Sequence, residues 1–339
     1  MRSDAELMRR AIDAASTVRC LTAPNPWVGC AITTADGTVV SGATRPPGGD
    51  HAEIEALAAA GIAARGATLA TTLEPCSHTG RTGPCTEAII DAGIARVIVG
   101  IEDPDPQVSG SGVARLRAAG LEVTVGVLAD EVTEQLTAYL HHRRTGRPYV
   151  VGKLAATLDG RTAAPDLTSQ WITGPEARTD THRLRAESQA ILVGAGTVRT
   201  DDPSLTVRHV DGPDPRRIVL GTAPDGANVH PCLEWRGDLP ELLDQLGDDG
   251  VLQLMVEGGA STISQFQEEG LIDRFVVYLA PAVFGGDDAR PMFSGAGVPT
   301  MSRLARGRFV SITRLGADVR IDYVPARTAQ TDCDPTGSD

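Results

Sequence analysis

Twice along this chain, short β-branched apolar runs alternate with stretches of helical period, and the alternation restarts at Tyr149. That pattern constrains the fold more than any single motif, because strands separated by helices of about three turns favour a parallel-rich sheet between helical layers. In the first half, residues 5–19 read as a helix, and "VGCAITTADGTVVSGAT" reads as two strands around a turn at Asp36-Gly37. "AEIEALAAAG" is helical, "ATLATTLEPC" a strand, "CTEAIIDAG" a helix and "RVIVGIED" a strand; "GVARLRAAG" is a helix and "EVTVGVL" a strand.

The second half reads as a strand from Tyr149 onward through "PYVVGKLAATLDGRTA" and a helix over 175–187. Strands "AILVGA" and "RRIVLG", a helix at 239–247, strand "VLQLMVEGG" and a helix at 261–269 follow. Strand "RFVVYLAPAVFG" and the hairpin "RFVSITRLGADVRIDYV" make a β-rich end. A chain of 339 residues exceeds one ordinary core, so two domains are expected, 1–145 and 149–326. The basic stretch "HHRRTGRP" at 141–148 reads as a solvated linker between them, and the polar tail 327–339 as disordered.

The opening "MRSDAELMRRAIDAAS" has helical period but no continuous apolar segment, so it reads as a first helix and not as a signal peptide. No run approaches a membrane span. A cytoplasmic, reducing location is expected, where six cysteines do not form a disulfide scaffold. The net charge of −13, with no long basic strip, argues against nucleic acid as a partner.

"EPCSHTGRTGPC", residues 74–85, holds two cysteines in a glycine-rich stretch, open at first sight to a disulfide, a redox pair or a metal site. The compartment disfavours the disulfide, and a redox pair prefers a two-residue gap. Upstream stands "GGDHAEIEAL". His51, Cys76 and Cys85 supply one imidazole and two thiolates, which suit one tetrahedral Zn²⁺ per chain with a fourth position left for water. Zinc acidifies such a water, and Glu53, near the metal but not bound to it, can carry its proton to a leaving amine. His51 and Cys76 are each expected to begin a helix, with Cys85 arriving from the loop that closes over the site. Cys20, Cys30, Cys232 and Cys333 match no metal spacing and read as packing or surface residues.

The spacing of the cysteines, "PNPWVGCAI" at 24–32 and "DPDPQVSGSGVARLRAAGLEV" at 103–123 together resemble the pyrimidine deaminase domain of riboflavin biosynthesis. The resemblance implies a cytidine-deaminase-like three-layer domain with Asn25, Arg81 and Asp103 near the substrate, Arg81 at its phosphate. Thr44 and Asp105 stand where many relatives carry His and Asn. In the second half, "KLAATLDGRTA", "SQWITG", "HRLRAESQAILVGAGTVRTDDPSLTVR" and "LMVEGGAST" resemble the dihydrofolate-reductase-like reductase domain of the bifunctional enzyme of that pathway.

"VEGGAST" follows a strand and opens a helix, so free N–H groups there can face a phosphate. "GAGTV" at 194–198 is followed by Arg199, so the Gly-x-Gly-x-x-Gly of a Rossmann domain is missing. The resemblance implies NADPH as hydride donor, contacted by Ala155, Trp171, Thr197, Asp201 and Thr222. It adds the backbone from Gly259 through Ala260, Ser261, Thr262, Ile263 and Ser264 to Gln265. Lys153 and Asp201 fall where the sugar ring opens: Lys153 stabilises or protonates the departing ring oxygen, and Asp201 positions substrate and cofactor. Ser169, Arg185, Leu205, Arg208 and Glu257 are the implied substrate contacts, both arginines suiting the phosphate. Relatives often carry Asp-Ser after the third strand, where this chain has Gly221-Thr222.

The combined expectation is zinc-dependent deamination of a phosphorylated diaminopyrimidinone ribosylamine, then NADPH-dependent reduction of its ribosyl group. The implied partners are that small molecule and a second copy of the chain, joined through the reductase domain, with no membrane or nucleic acid. The alternative is a nucleic-acid or nucleoside deaminase with a C-terminal binding domain.

Overall fold

Ser3 starts the first helix with a capping box: its hydroxyl accepts from Glu6 N, and the Glu6 carboxylate accepts from Ser3 N. A computed structural model describes residues 3–77, 83–105 and 109–326. Expectations at Arg81, Cys333 and the tail 327–339 lie outside the described residues.

The first half comprises α1 (Asp4–Ser16), β1 (Gly29–Thr33), β2 (Val39–Ala43), α2 (Ala52–Ala60), β3 (Thr68–Leu73) and α3 (Cys85–Asp91). It continues with β4 (Arg96–Ile101), α4 (Ser111–Ala118), β5 (Glu122–Val125), α5 (Ala129–Gln135) and α6 (Thr137–Thr145). Its sheet has the order β2-β1-β3-β4-β5, with β1 antiparallel to both neighbours and β3, β4 and β5 parallel. Leu69, Ala70, Val97, Ile98 and Val99 on β3 and β4 are inaccessible to solvent, as strands covered on both faces must be.

The second half comprises β6 (Tyr149–Thr157), β7 (Arg161–Ala163), α7 (Pro175–Ala186), β8 (Ala190–Gly194), α8 (Ala195–Asp201), β9 (Arg216–Leu220) and β10 (Leu233–Trp235). Then come α9 (Leu239–Asp248), β11 (Gln253–Val256), α10 (Ala260–Glu268), β12 (Arg274–Ala280), β13 (Arg290–Pro291), β14 (Gly307–Leu315) and β15 (Asp318–Pro325). An eight-stranded sheet runs β10-β9-β8-β11-β6-β12-β15-β14. It is parallel as far as β12, and the terminal hairpin adds antiparallel.

Several expectations change; the strand expected over "RFVVYLAPAVFG" ends at Ala280, and α8 follows β8 where no helix was expected. The strand starting at Tyr149 is two, because a turn closed by Gly160 N donating to Thr157 O separates β6 from β7. The strand expected over "EVTVGVL" ends at Val125, with Gly126 in the left-handed region. The supposed linker at 141–148 is largely helix. Arg143 and Arg144 face solvent, but His142 Nε2 lies 3.0 Å from Gly247 O on α9, and His141 Nδ1 lies 3.6 Å from the Asp273 carboxylate. Basic side chains in the last turn of α6 also favour a helix C-terminus. An ion pair of Arg274 with Glu134 joins the halves as well.

Candidate active sites

The first site lies beyond the C-terminal ends of the parallel strands β3 and β4, where open α/β sheets form their crevices. Glu74, at the end of β3, is 4 % exposed and ties the loops together. Its carboxylate accepts from Asp103 N at 3.2 Å, Gly110 N at 2.9 Å and Val113 N at 3.0 Å. α4 packs so close that a Cβ at Gly112 would lie 2.0 Å from Pro75 O, so only glycine fits there. Cys76 is thereby held in the loop after β3.

The two helix starts are His51 and Cys85, not His51 and Cys76: His51 is the N-cap of α2, and Cys85 is the first residue of α3. Cys76 instead accepts from that helix, Cys85 N to Sγ at 3.4 Å. His51 Nδ1 lies 3.6 Å from Cys76 Sγ and 3.3 Å from Cys85 Sγ, and the three donor atoms lie within 4.8 Å of one another. In the thiol pair, the neighbouring Cys85 and His51 draw Cys76 below an ordinary thiol, while Cys85 is raised by Cys76 and by burial. One imidazole and two sulfurs converging at this spacing fit a tetrahedral zinc with an open position.

A cleft of about 210 Å³ opens beside these donors. His51, Glu53, Cys76, Asn25 and Asp103 all line it, so the structure brings together every described first-site residue expected from sequence. Glu53 is 3 % exposed, and burial raises its pKa. Thr44 is also at the cleft, its hydroxyl turned to the backbone of Val28. Sequence reasoning missed Glu74, Tyr139 and Arg143. The last two lie on α6, Arg143 within the basic stretch 141–148 that suggested only a solvated segment and Tyr139 just before it.

The second site is a cleft of about 1320 Å³ over the C-terminal ends of β6, β8 and β11. At its floor Glu257 receives Lys153 Nζ at 3.1 Å on one carboxylate oxygen and Arg185 Nε at 2.9 Å on the other. Burial would raise Glu257, but Lys153 and Arg185 outweigh it and hold the pKa at about 2. Ser169, Asp201, Leu205 and Arg208 line the same cleft. Burial raises Asp201, with the Ser169 hydroxyl working against it. Arg208 Nη1 donates to Thr206 Oγ1 at 2.9 Å, and Arg208 N donates to His182 Nδ1 at 3.1 Å. His182, another lining group that sequence reasoning missed, is lowered to about 4 by burial and by Arg185 beside it.

On the facing wall, α8 and α10 point their N-termini into the cleft. Thr197 Oγ1 accepts from Gly259 N at 3.3 Å, and a Cβ at Gly258 would meet Thr262 at 2.5 Å, so this turn tolerates no side chain. Ala155, Trp171, Thr197 and Gly259 line this wall, with Ala260, Ser261, Thr262 and Gln265 on α10. Thr222 is not on it, nor are the side chains of Ile263 and Ser264, where the expected contact was through the backbone. Thr222 accepts from Arg236 at 2.6 Å, Ile263 is fully buried in the core, and the Ser264 hydroxyl accepts from Ser294 N. The period of α10 buries the side chains at 263 and 264, the first in the core and the second against Ser294.

Residues 1–101 match the family described as cytidine and deoxycytidylate deaminase zinc-binding region, and residues 148–321 match the RibD C-terminal domain. The riboflavin biosynthesis protein RibD of Bacillus amyloliquefaciens is 38% identical, over 94% of this chain and 95% of that protein. That of Escherichia coli K12 is 38% identical over 95% of this chain and 100% of its own. A solved structure of Acinetobacter baumannii RibD superposes with a TM-score of 0.87 at 36% identity, covering 96% of this chain and 99% of the other.

Proposed function

Because this chain belongs to the RibD family of riboflavin biosynthesis proteins, bifunctional enzymes with a deaminase and a reductase domain, we propose that its two clefts act on one substrate in succession. The first cleft hydrolyses the 2-amino group of 2,5-diamino-6-ribosylamino-4(3H)-pyrimidinone 5′-phosphate. The second transfers hydride from NADPH to C1′ of the deaminated sugar, giving the ribityl compound. The observation that carries this reading is the presence, on separate sheets, of two complete sets of groups: His51, Cys76 and Cys85 beside Glu53, and Lys153, Glu257 and Arg185 beneath two helix N-termini.

In the first cleft, His51, Cys76 and Cys85 would hold zinc, which when bound would supply the Lewis acidity that makes water nucleophilic near neutral pH. Glu53, whose pKa burial raises, takes the proton of the attacking water and delivers it to the departing amine. Asn25 and Asp103 orient the pyrimidine, and Arg81 answers its phosphate.

In the second cleft, NADPH supplies the hydride. The N–H groups of Ala260 and Ser261 and the Thr197 hydroxyl would hold its phosphates, and Ala155 and Trp171, which line the same cleft, would contact the rest of it. Glu257 keeps Lys153 directed at the sugar, where its ammonium stabilises the ring oxygen as the C1′–O bond opens. Asp201 and Ser169 position the sugar against the nicotinamide, and Arg185 and Arg208 suit the 5′-phosphate. Residues 1–145 and 149–326 are the two catalytic domains of this reading.

We assign the working form as a dimer through the reductase domain. The outer strand β14 exposes Phe309 (64 %) and Ile312 (63 %), apolar groups that a second copy would cover. Light scattering at twice the 35.5 kDa chain mass supports this, and a monomer mass counts against it. No helix among the described residues is long and apolar enough to cross a membrane; the free cysteines fit a reducing cytoplasm. The test of function is to incubate the protein with the diaminopyrimidinone phosphate, with and without NADPH. Products heavier by one mass unit, then by two more, are expected; an unchanged substrate refutes the proposal.

A further inference from the structure

Asp103 is 6 % exposed in a cleft already holding the carboxylates of Glu53, Glu74 and Asp105. A carboxylate so placed has weak reason to keep one orientation unless donors fix it. Two donors do so. Asp105 N reaches Asp103 Oδ1 at 3.0 Å, and the Tyr139 hydroxyl lies across both oxygens, 3.3 Å from Oδ1 and 3.2 Å from Oδ2.

Tyr139 is itself immobilised. Its ring is 4 % exposed and belongs to a buried apolar cluster that includes residues of both halves. One helical turn on, the Arg143 guanidinium lies 5.2 Å from the ring centroid and is the only strongly basic side chain among the described residues lining the cleft. The helix that carries both is pinned to the second half through His142 and Gly247, and through His141 and Asp273. Tyr139 thus reaches the first site from the segment that joins the two halves.

We propose that Tyr139 is a positioning residue of the deaminase, holding the Asp103 carboxylate in the orientation in which it meets the pyrimidine. This rests on the deaminase reading of the cleft. Tyr139 touches neither the zinc donors nor Glu53 in any hydrogen bond, so its hydroxyl acts on substrate binding through Asp103 and leaves the proton transfer intact. Uniform loss of binding raises KM and spares kcat.

The experiment is steady-state ammonia release from the diaminopyrimidinone phosphate by zinc-loaded full-length Tyr139→Phe, which keeps the ring and removes only the hydroxyl. The expected result is a KM raised on the order of tenfold, with kcat within about twofold of the parent. Zinc content and NADPH oxidation with the deaminated substrate stay unchanged. In an Asp103→Ala background, Tyr139→Phe then shifts KM by less than about twofold, because the group it positions is gone. An unchanged KM overturns the proposal, as does the same KM penalty in both backgrounds. Should Tyr139→Phe not fold, 3-fluorotyrosine at position 139 alters only the acidity of the hydroxyl; a KM shift at constant kcat supports the proposal and no shift overturns it. A parent that releases no ammonia at all removes the deaminase reading itself, a result separate from any effect of Tyr139.

Discussion

Glu257 and Lys153 lie 104 residues apart in sequence, yet their charged groups meet at 3.1 Å on the floor of the larger cleft. β6 and β11 are adjacent parallel strands, so residues just past the end of one face residues within the other. The Glu257 carboxylate is shared with Arg185, and the triad leaves one negative charge between two positive ones.

That arrangement predicts a pH dependence. The folded pKa of Glu257, about 2, lies below the ordinary glutamate value of 4.5, so its contribution is fully present above about pH 4.5. It is lost as pH falls towards 2, because the unfolded chain binds the proton first. Glu257→Gln should therefore cost roughly 3 kcal/mol near neutral pH. Denaturant titrations of both proteins should show that gap closing between about pH 4.5 and 2. A gap independent of pH would mean that the carboxylate is not charge-paired.

The zinc donors predict a joint loss. Cys76→Ala combined with Cys85→Ala leaves one imidazole at the site and should abolish bound metal and deamination together, while hydride transfer persists. Elemental analysis of purified protein checks this; a full equivalent of zinc in the double variant excludes these ligands.

On the proposed reading, Glu53 serves proton transfer and not metal binding. Glu53→Gln preserves size and polarity but cannot accept a proton, so deamination should fall on the order of 10²-fold or more with zinc retained. Loss of the metal in this variant would make Glu53 a ligand instead.

Lys153→Ala should abolish reduction and leave deamination near the parent rate, since Lys153 contacts Glu257 and lines only the second cleft of the two. Glu53→Gln, supplied with the deaminated intermediate, should oxidise NADPH at nearly the parent rate. Following ammonia and NADPH absorbance separately tests both; a folded variant that loses both activities would contradict separate sites.

Much of this was legible from sequence because it is local. Strand and helix periods, the turn at Asp36-Gly37 and the helix after "VEGG" depend on residues close together in the chain. The ligand types at 51, 76 and 85 restrict the metal by their softness alone. A run of charge such as 141–148 carries less information, because basic residues serve equally as solvated linker or as the outer face of a packed helix.

By itself, then, the sequence determined two α/β units, a His-Cys-Cys donor set with a nearby acid, and a helix that starts directly after a glycine pair in the second unit. Only the tertiary structure decided that Glu74 would bracket two loops, that Tyr139 would hold Asp103 and that Glu257 would pair Lys153 with Arg185. Those pairings depend on strand order and register, which are set by burial of the whole sheet and not by any local run. Residues 29 to 104 positions apart in sequence meet only once the strands of their two sheets are in register.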